Sequence, residues 1–411
     1  MRILYITQFY APENIAGAFR AQAHAAAWAK LGHEVTVFTA WPNHPKGELF
    51  PGYEMSKLGH EMFDDVDIYR NQLIINHDAS FRKRAETGIS FMCNGLSNLK
   101  HNEVLKNTQF DIVLASSGTV FAGMLGAEYA RWAKLPLVVE FRDLAFDQIA
   151  ASQSDTRGWK VFAMRLVELH LAKRADRVVV LTKGFKRRLI DHGIDDQKIE
   201  IVFNGVDPVE CECTNREASS NTVRFGYFGT IGISQDVVRT IDILGGLRDC
   251  VSIKYRIIGD GASYEKTARR IDEGANPFVT LMPGISAEDL EGYYQDVDMT
   301  VVSLQHNPAF AATIPSKIFQ SFARGIPVLF IGPEGEASSL IAEGGAGIVL
   351  TGDDADARER LKAFFLDESW RDQVSAMARN ALRLVNDEYS RTKQAAKMIS
   401  ILESAVTKKG L

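Results

Sequence analysis

Two groups of residues in the second half of the chain have types and spacing suited to binding a phosphate. After the apolar run 223–228, the turn Gly229-Thr230-Ile231-Gly232 leads into a predicted helix with Ser234 as its N-cap. Glycines let a ligand approach the backbone, and free amides at a helix start favour an anion. The pattern is not the GxGxxG of dinucleotide binding or a P-loop, and a simple tight turn would also explain it.

The second group surrounds Lys317. Thr313 and Ser316 stand at the start of a predicted helix over 316–323, and Lys317 falls in its first turn. The helix dipole disfavours a cation there unless an anion offsets it, so this position predicts a phosphate ligand. A solvated surface lysine is the alternative. A further glycine turn at 259–261 could line the same crevice.

Candidate groups for proton transfer lie in the first half of the chain. Asp143 follows the apolar run 137–141, and Arg142 beside it could orient or neutralise a phosphate. Ligands of open parallel sheets bind at the carboxyl ends of the strands, where this pair is expected. A helix-capping aspartate next to a surface arginine is the alternative. Glu13, in the loop after the first apolar run, is a second candidate base.

An alternation of strands and helices positions these residues. The apolar run 2–8, the Ala-rich helix 19–31 and the strand 33–39 form a βαβ unit, which requires a parallel sheet. Further strands are predicted at 111–115, 137–141, 177–181, 199–203, 223–228, 255–258, 278–281, 299–304 and 328–331. Helices are predicted at 122–134, 159–174, 236–247, 264–273, 287–295 and 316–323, with a helical tail over 355–406. We therefore predict an α/β fold of two doubly wound, Rossmann-like domains facing across a ligand-binding cleft.

A chain of 411 residues is long enough for two such domains. The predicted boundaries are an N-terminal domain over 1–206, a polar linker over 207–222 and a C-terminal domain over 223–385. We expect the remaining segment, 386–411, to be a helix that crosses back to the N-terminal domain.

Composition excludes several classes of protein. The chain has 46% hydrophobic and 24% charged residues, typical of a folded globular protein. It has no apolar run of membrane-spanning length and no signal peptide pattern, so we expect a cytoplasmic protein. The formal net charge of −5, with no basic stripe, argues against a nucleic-acid partner.

The segment 81–100 combines a basic start with an apolar period. Arginine and lysine occupy 82–84, and Ile89, Met92 and Leu96 recur at helical spacing, followed by Leu99. This pattern suits a helix lying on an anionic membrane surface. A core-facing helix with a solvated basic end is the alternative.

Several segments, in order along nearly the whole chain, resemble a GT-B glycosyltransferase of family 4. They are 2–6 with Gly17, 32–39, 203–207, 228–232, 258–261 and 313–328. The chain is similar in particular to the branch that builds bacterial O-antigen and capsule, including N-acetyl-L-fucosamine transferases. The resemblance implies a nucleotide-sugar donor, expected to be UDP-linked, in the second domain. It also implies an undecaprenyl-diphosphate-linked glycan acceptor in the first domain, and neither cofactor nor metal.

The resemblance also assigns roles to residues. It implies that Gly17 lets the first-domain loop approach the donor diphosphate and that His44 contacts acceptor or sugar, as Arg142 would. The implied donor-binding residues of the second domain are Gly229, Thr230, Gly232, Gly261, Pro283, Gly284, Thr313, Ser316, Lys317 and Gln320. Among these, Gly261, Pro283 and Gly284 would border the base.

Three departures from the family pattern stand out. Ala312 and Gln320 occupy the positions of two glutamates that family members commonly carry, and Gln320 can still bond a ribose hydroxyl. The pair of basic residues that family members frequently carry after the glycine turn is missing, so Lys317 becomes the main cation expected to bind the diphosphate. The first-domain histidine motif is replaced by 116–118, which reads Ser-Ser-Gly.

Glycosyl transfer requires neutralisation of the leaving diphosphate and a group that takes the acceptor proton. Lys317 and the amides of 229–232 address the first requirement. Asp143, or else Glu13, would serve as base in an inverting route, whereas in retaining members the departing phosphate is thought to take the proton. Lys317 and these two carboxylates are therefore the predicted catalytic residues.

The predicted function is glycosyl transfer in O-antigen or capsule assembly, with helix 81–100 docking the enzyme at the inner face of the plasma membrane. A UDP-sugar 2-epimerase of the same fold is an alternative, but its catalytic carboxylates and histidines cannot be assigned to residues of this sequence. An NAD-dependent dehydrogenase is disfavoured because no GxGxxG follows the first strand. A solute-binding protein is disfavoured because no export signal is visible.

Overall fold

The computed structural model describes residues 1–44, 46–76, 80–151, 158–209, 222–274 and 276–409. The chain forms two compact units, Met1–Gly205 with Arg391–Leu411, and Val206–Ser390. Most of the predicted linker, residues 210–221, lies outside the described residues.

The first unit is built on an eight-stranded sheet. Its strands are β1 (Arg2–Ile6), β2 (Glu34–Ala40), β3 (Leu58–Phe63), β4 (Val66–Asn71), β5 (Ile112–Ser116), β6 (Leu137–Phe141), β7 (Arg177–Val180) and β8 (Ile199–Ile201). Its helices are α1 (Ala16–Lys30), α2 (Phe81–His101), α3 (Glu103–Asn107), α4 (Val120–Ala133), α5 (Ala145–Ala151), α6 (Gly158–Arg174) and α7 (Lys183–Asp191). The strand order is β3-β4-β2-β1-β5-β6-β7-β8.

Seven of these strands run parallel, and β3 pairs antiparallel with β4 at the edge of the sheet. Asp64 and Asp65 form the tight turn between them, both with positive φ. This hairpin is not evident from the sequence, because β3 is largely exposed and lacks the apolar run of a buried strand. Apart from Arg2, the residues of the central strands β1, β5 and β6 are buried, as helices on both faces of a parallel sheet require.

The second unit contains a six-stranded, fully parallel sheet. Its strands are β9 (Thr222–Phe228), β10 (Ser252–Ile258), β11 (Val279–Met282), β12 (Met299–Ser303), β13 (Val328–Ile331) and β14 (Gly347–Leu350), in the order β11-β10-β9-β12-β13-β14. The helices are α8 (Val237–Gly245), α9 (Tyr264–Glu273), α10 (Ala287–Gln295), α11 (Ser316–Phe322), α12 (Glu336–Glu343), α13 (Asp354–Leu366) and α14 (Trp370–Leu384). Each unit is thus a doubly wound α/β domain, as expected from the sequence.

The last helix, α15 (Arg391–Lys409), belongs to the first unit. It packs along α1, where the Trp28 indole donates to the Ala395 carbonyl at 2.9 Å. Met398 and Leu402 are fully buried in the core that α15 completes. The first unit therefore depends on residues from both ends of the chain.

The predicted N-cap at Ser234 is wrong. Residues 233–235 form a 3-10 turn, and α8 begins at Val237, after Asp236 in the left-handed region at φ 45°. The chain therefore makes an extra turn between the glycine loop and α8.

Helix α2 turns most of its apolar stripe into the protein. Leu99 is fully buried, Met92 and Leu96 are half-buried, and Ile89 alone of the four is exposed. Gly88 lies so close to Phe121 of α4 that a Cβ there would meet the ring at 2.0 Å. The stripe is thus chiefly a packing face. Among the described helices, none combines the length and apolar character needed to cross a bilayer.

Candidate active site

Three turns meet at the carboxyl ends of β9, β10 and β11. The Gly229 amide donates to the Ile258 carbonyl at 2.8 Å, and the Ile231 amide donates to the Asp260 carbonyl at 2.8 Å. The Gly284 amide donates to the Asp260 carboxylate at 2.9 Å. The glycine turns at 229–232, 259–261 and 283–284 are therefore joined into one surface.

Two of these turns pack backbone against backbone. A Cβ on Gly259 would lie 1.8 Å from the Gly229 carbonyl oxygen, and one on Gly261 would lie 2.5 Å from the Ile231 carbonyl oxygen. Gly229 and Gly261 also have positive φ, +113° and +148°. Only glycine fits this contact, because any larger residue would push the turns apart.

Lys317, from the first turn of α11, reaches into the first of these turns. Its ammonium group donates to the Thr230 carbonyl at 3.0 Å and to the Tyr227 hydroxyl, and it lies 3.7 Å from the centre of the Tyr227 ring. Among the described residues, no carboxylate pairs with Lys317. Burial lowers the pKa of Lys317 to about 7. The site therefore holds a cationic group without a counter-charge, beside the amides of 229–232.

Tyr227 holds this lysine in place. Its hydroxyl accepts from Lys317 and itself donates to the Thr230 carbonyl at 2.5 Å. Burial raises the pKa of Tyr227 well above its ordinary value, so the phenol stays neutral and keeps its proton for that bond. Both of these acceptors, the Tyr227 hydroxyl and the Thr230 carbonyl, are therefore neutral.

The remaining predicted donor residues lie just before α11 or within it. Thr313 is half-buried and its amide closes a turn onto the Phe310 carbonyl, while Ser316 is exposed at the helix start. The Gln320 side-chain oxygen accepts from Arg324 at 3.1 Å, and Arg324 pairs with Glu291 at 2.7 Å. Gln320 is thereby tied to an ion pair one turn beyond Lys317, and its contact with a ribose stays a prediction.

In the first unit, Arg142 occupies the point where the strand order reverses. The order β2-β1-β5-β6 makes the junction of β1 and β5 the switch point, where open α/β sheets bind ligands. From the end of β6, the Arg142 guanidinium extends across Gly118 to Gly17. A Cβ on Gly17 would lie 1.7 Å from its Nη1. The buried Arg142 Nε atom has no hydrogen-bond partner among the residues that the structure describes.

Two helix N-termini begin beside this guanidinium. Gly17 lies in the first turn of α1, and Gly118 precedes Thr119, the N-cap of α4. Neither N-cap, Ile15 or Thr119, gives its helix a side-chain cap; the Thr119 hydroxyl donates instead to Gln8. Uncapped amides and an arginine together create a site of positive potential.

Asp143 is exposed directly after Arg142. Nearby, the carboxylate of Glu168 is buried and accepts from the Ala145 and Phe146 amides at 3.0 and 3.1 Å. Burial, with the negative charge of Asp147 and of Asp143, raises the pKa of Glu168 to about 7. Glu168 thus fixes the start of α5 next to the candidate base.

Glu13, the second candidate base, is buried and hydrogen-bonded to backbone amides, whereas a general base must be accessible to its substrate. It is only 2% exposed, and its carboxylate accepts from the amides of Tyr10, Asn43 and His44 at 3.3, 3.0 and 2.9 Å. Burial raises its pKa. Glu13 therefore links its own loop to the loop that contains Asn43 and His44. It sets the position of His44, whose pKa is lowered by burial and by Arg84.

Two family models match consecutive parts of the chain. The model described as a glycosyl transferase 4-like domain matches residues 17–205, and that described as glycosyl transferases group 1 matches residues 223–364. The chain is a glycosyltransferase. Comparison with curated proteins gives no match.

Solved structures identify the fold of this glycosyltransferase as GT-B. Anabaena Alr3699/HepE in complex with UDP gives a TM-score of 0.68 at 14% identity, covering 98% of this chain and 100% of that one. Its complex with UDP-glucose gives 0.66 at 15% identity, with the same coverage. WaaG, a glycosyltransferase involved in lipopolysaccharide biosynthesis, gives 0.63 at 15% identity, covering 97% and 99%.

The glycosyltransferase also contains residues near these sites that the sequence does not single out. Buried Glu140 on β6 pairs with Arg20 at 2.8 Å and accepts from the Ser116 hydroxyl at 2.7 Å. Burial by itself would raise the pKa of Glu140, but the charge of Arg20 lowers it, and the pKa lies below its ordinary value. Arg20 also donates to the Val202 carbonyl at 3.0 Å, so this network fixes β6, the strand that directly precedes Arg142. A charged residue inside an apolar strand was the available signal.

Tyr227, the other missed residue, sits within the predicted strand of the glycine turn, where an aromatic residue gives no functional signal by itself. In the described part of the glycosyltransferase, no group of three His, Cys, Asp or Glu side chains is arranged to hold a metal ion.

Proposed function

We propose that this glycosyltransferase moves a sugar from a UDP-linked donor to a lipid-linked glycan acceptor in the assembly of bacterial O-antigen or capsule. The second unit would bind the donor and the first the acceptor, with neither metal nor cofactor. The proposed sugar is N-acetyl-L-fucosamine or another acetamido or deoxy sugar, as the sequence resemblance implies. Solved relatives of the same fold that bind UDP and UDP-glucose support the choice of donor.

One observation carries this proposal. Lys317 lies against the glycine turn at 229–232, and in the part of the chain that the structure describes its ammonium group contacts only neutral acceptors, Tyr227 and Thr230. The diphosphate of a nucleotide sugar would supply the missing negative charge and accept hydrogen bonds from the Thr230 and Gly232 amides, because the Gly229 and Ile231 amides already donate to the Ile258 and Asp260 carbonyls.

The chemistry then divides between the two units. The bond between the anomeric carbon and the diphosphate oxygen breaks, and Lys317 with the turn amides stabilises the charge that develops on the leaving group. The acceptor hydroxyl forms the new bond to the anomeric carbon. Its proton passes to the exposed carboxylate of Asp143 in this proposal. Arg142 would bind a phosphate of the donor or the acceptor at the amino ends of α1 and α4.

Titration of UDP into wild type and Lys317→Ala tests the donor site. We expect UDP to stabilise the wild type by about 2.7 kcal/mol at a hundred times its dissociation constant, and Lys317→Ala to lose this shift with its fold intact. Lys266→Ala, an exposed lysine on α9, is the matched control. Equal UDP affinity in wild type and Lys317→Ala would remove Lys317 from the site. Stabilisation by NAD alone would overturn the proposed activity.

A further inference from the structure

Asp260 connects the glycine turns at the carboxyl ends of β9, β10 and β11. Its main-chain carbonyl accepts from the Ile231 amide at 2.8 Å, and its carboxylate accepts from the Gly284 amide at 2.9 Å. The first bond is made to the turn that Lys317 contacts, and the second to the turn that follows β11. A single residue thus joins the proposed diphosphate subsite to a turn at the edge of the sheet.

The turn after β11 has few other attachments. β11 is an edge strand of four residues, and it pairs with β10. Pro283 has no amide hydrogen to donate, and both Pro283 and Gly284 are exposed. Ile285, the next residue, packs against the apolar cluster beneath the turn. The Gly284 amide is therefore the first main-chain donor after the strand, and Asp260 accepts its hydrogen bond.

Stability alone does not explain the Asp260 carboxylate. The residue is exposed, and among the described residues no cation pairs with it. Water would satisfy the exposed Gly284 amide if the carboxylate were absent. A negative charge on the surface that holds Lys317 also weakens the attraction of that surface for an anion. The remaining effect of the carboxylate is to fix the position of the turn 283–284.

The surface continues from Lys317 toward this turn. Gln320 lies on α11 one turn after Lys317, and the ion pair of Arg324 with Glu291 joins the end of α11 to α10, the helix that follows 283–286. Neighbouring strands are about 4.8 Å apart, so the ends of β9 and β11 lie about 10 Å apart. A diphosphate alone does not bridge that span, whereas a nucleoside diphosphate does.

We propose that Asp260 is a positioning residue for the base of the nucleotide donor. It sets the separation between the diphosphate subsite at Lys317 and the turn 283–284, against which the base lies. A turn that is already fixed does not have to be ordered when the nucleotide binds, and this favours affinity. The inference rests on the proposed function for the identity of the ligand, and it deepens that function by assigning a role to a carboxylate that does not bind phosphate.

Titration of UDP and of inorganic pyrophosphate into wild type and Asp260→Ala tests this role. We expect the affinity of Asp260→Ala for UDP to fall by about tenfold, with no loss of affinity for pyrophosphate, which reaches only the subsite at Lys317. Asp260→Asn should retain the UDP affinity of wild type within about threefold, because its amide oxygen still accepts from Gly284. Asp353→Ala is the matched control. Asp353 is also exposed and accepts main-chain amides, at the start of α13, and this variant should bind UDP as wild type does.

Gly284→Ala provides a second, independent variant. A Cβ on Gly284 would lie 2.3 Å from Asp260 Oδ2, so the turn and the carboxylate must move apart. We expect Gly284→Ala alone to lower UDP affinity by about tenfold, and to cause no further loss when Asp260 is already alanine. The unfolding midpoint without ligand should stay close to that of wild type in all these variants, since both residues are exposed.

Three outcomes would overturn the role of Asp260. They are unchanged UDP affinity in Asp260→Ala, an equal loss of affinity for UDP and for pyrophosphate, and additive losses in the Asp260→Ala, Gly284→Ala double variant. The wild-type titration reports on the proposed function separately. If wild type binds a different nucleoside diphosphate, the proposed donor is wrong and the same comparison with that nucleotide decides the role of Asp260. Binding of pyrophosphate but of no nucleoside diphosphate would overturn both.

Discussion

Lys317 and Tyr227 are the central residues of the proposed donor site at the scale of single residues. The ammonium group is surrounded by an aromatic ring, a phenol oxygen and a backbone carbonyl, and burial brings its pKa to about 7. A neutral Lys317 cannot neutralise a diphosphate, so binding of an anion must favour the protonated form. Donor binding and proton uptake are therefore coupled at this residue.

The coupling predicts a pH dependence of UDP affinity. As pH rises from about 7 to about 9, free Lys317 loses its proton, so UDP affinity should fall by about tenfold per pH unit at most and binding should take up a proton. Calorimetry in buffers of different ionisation enthalpy measures this uptake. Lys317→Ala should show a flat profile, and Tyr227→Phe a shifted one, because the hydroxyl contact with Lys317 is lost. A wild-type affinity independent of pH in this range would contradict the assignment.

Asp143 is the residue to which the proposal assigns the acceptor proton. Asp143→Asn keeps the size of the side chain and removes its basicity, so we expect sugar transfer to fall by about 10²-fold or more while UDP affinity stays as in wild type. Transfer and UDP titration on the same preparation measure both. Full activity of Asp143→Asn would instead favour a route in which the departing phosphate takes the proton.

At the scale of elements, the ends of β1, β5 and β6 act together. Arg142 leaves β6 and reaches Gly17 on α1, passing Gly118 at the start of α4. The buried pair of Arg20 and Glu140 links α1 to β6 behind it. The position of the guanidinium is thus set by three chain segments that are far apart in sequence.

Gly17→Ala tests this arrangement. The new methyl group would lie 1.7 Å from Arg142 Nη1, so the guanidinium must move away from its position between the starts of α1 and α4. We expect transfer activity to fall by about tenfold or more, with a small change in stability, because the displaced side chain can move into solvent. Gly158→Ala, where a Cβ meets nothing within 4 Å, is the matched control. Wild-type activity in Gly17→Ala would show that sugar transfer does not depend on the position of the Arg142 guanidinium.

At the scale of the whole molecule, the chain passes between its units twice, at 205–206 and at 390–391. The Val206 amide donates to the Tyr389 carbonyl at 2.9 Å, so the passages run side by side. Helix α15 then completes the core of the first unit with Met398 and Leu402. Stability of the first unit therefore depends on the last residues of the chain.

Leu402→Ala should destabilise the first unit by about 2 to 5 kcal/mol, because its side chain is fully buried against α1 and the sheet. Hydrogen exchange should show faster exchange in β1 and β5, with UDP binding by the second unit retained. Leu366→Ala, 63% exposed, is the control and should change stability by less than about 0.5 kcal/mol. Equal exchange in β1 for both variants would contradict this role of α15.

The sequence by itself determined the doubly wound α/β class. Apolar runs alternate with helical periods along both halves of the chain, and this local signal survives because parallel strands covered on both faces must be apolar throughout. Glycine turns directly after strands, and a lysine in a first helical turn, were visible for the same reason. Each depends on neighbours within a few residues, so Gly229 and Lys317 could be singled out before any contact between them was known.

Only the tertiary structure decided which of the candidate residues meet and which helix faces are open. Glu13 pairs with amides 30 residues away, and Tyr227 meets a lysine 90 residues away, so neither role appears in local sequence. Both α2 and α6 carry several large apolar residues in sequence. Packing buries Leu99 of α2 but leaves Trp159 of α6 in solvent. Periodicity shows that a helix has an apolar face, whereas the partners folded against it determine whether that face is covered.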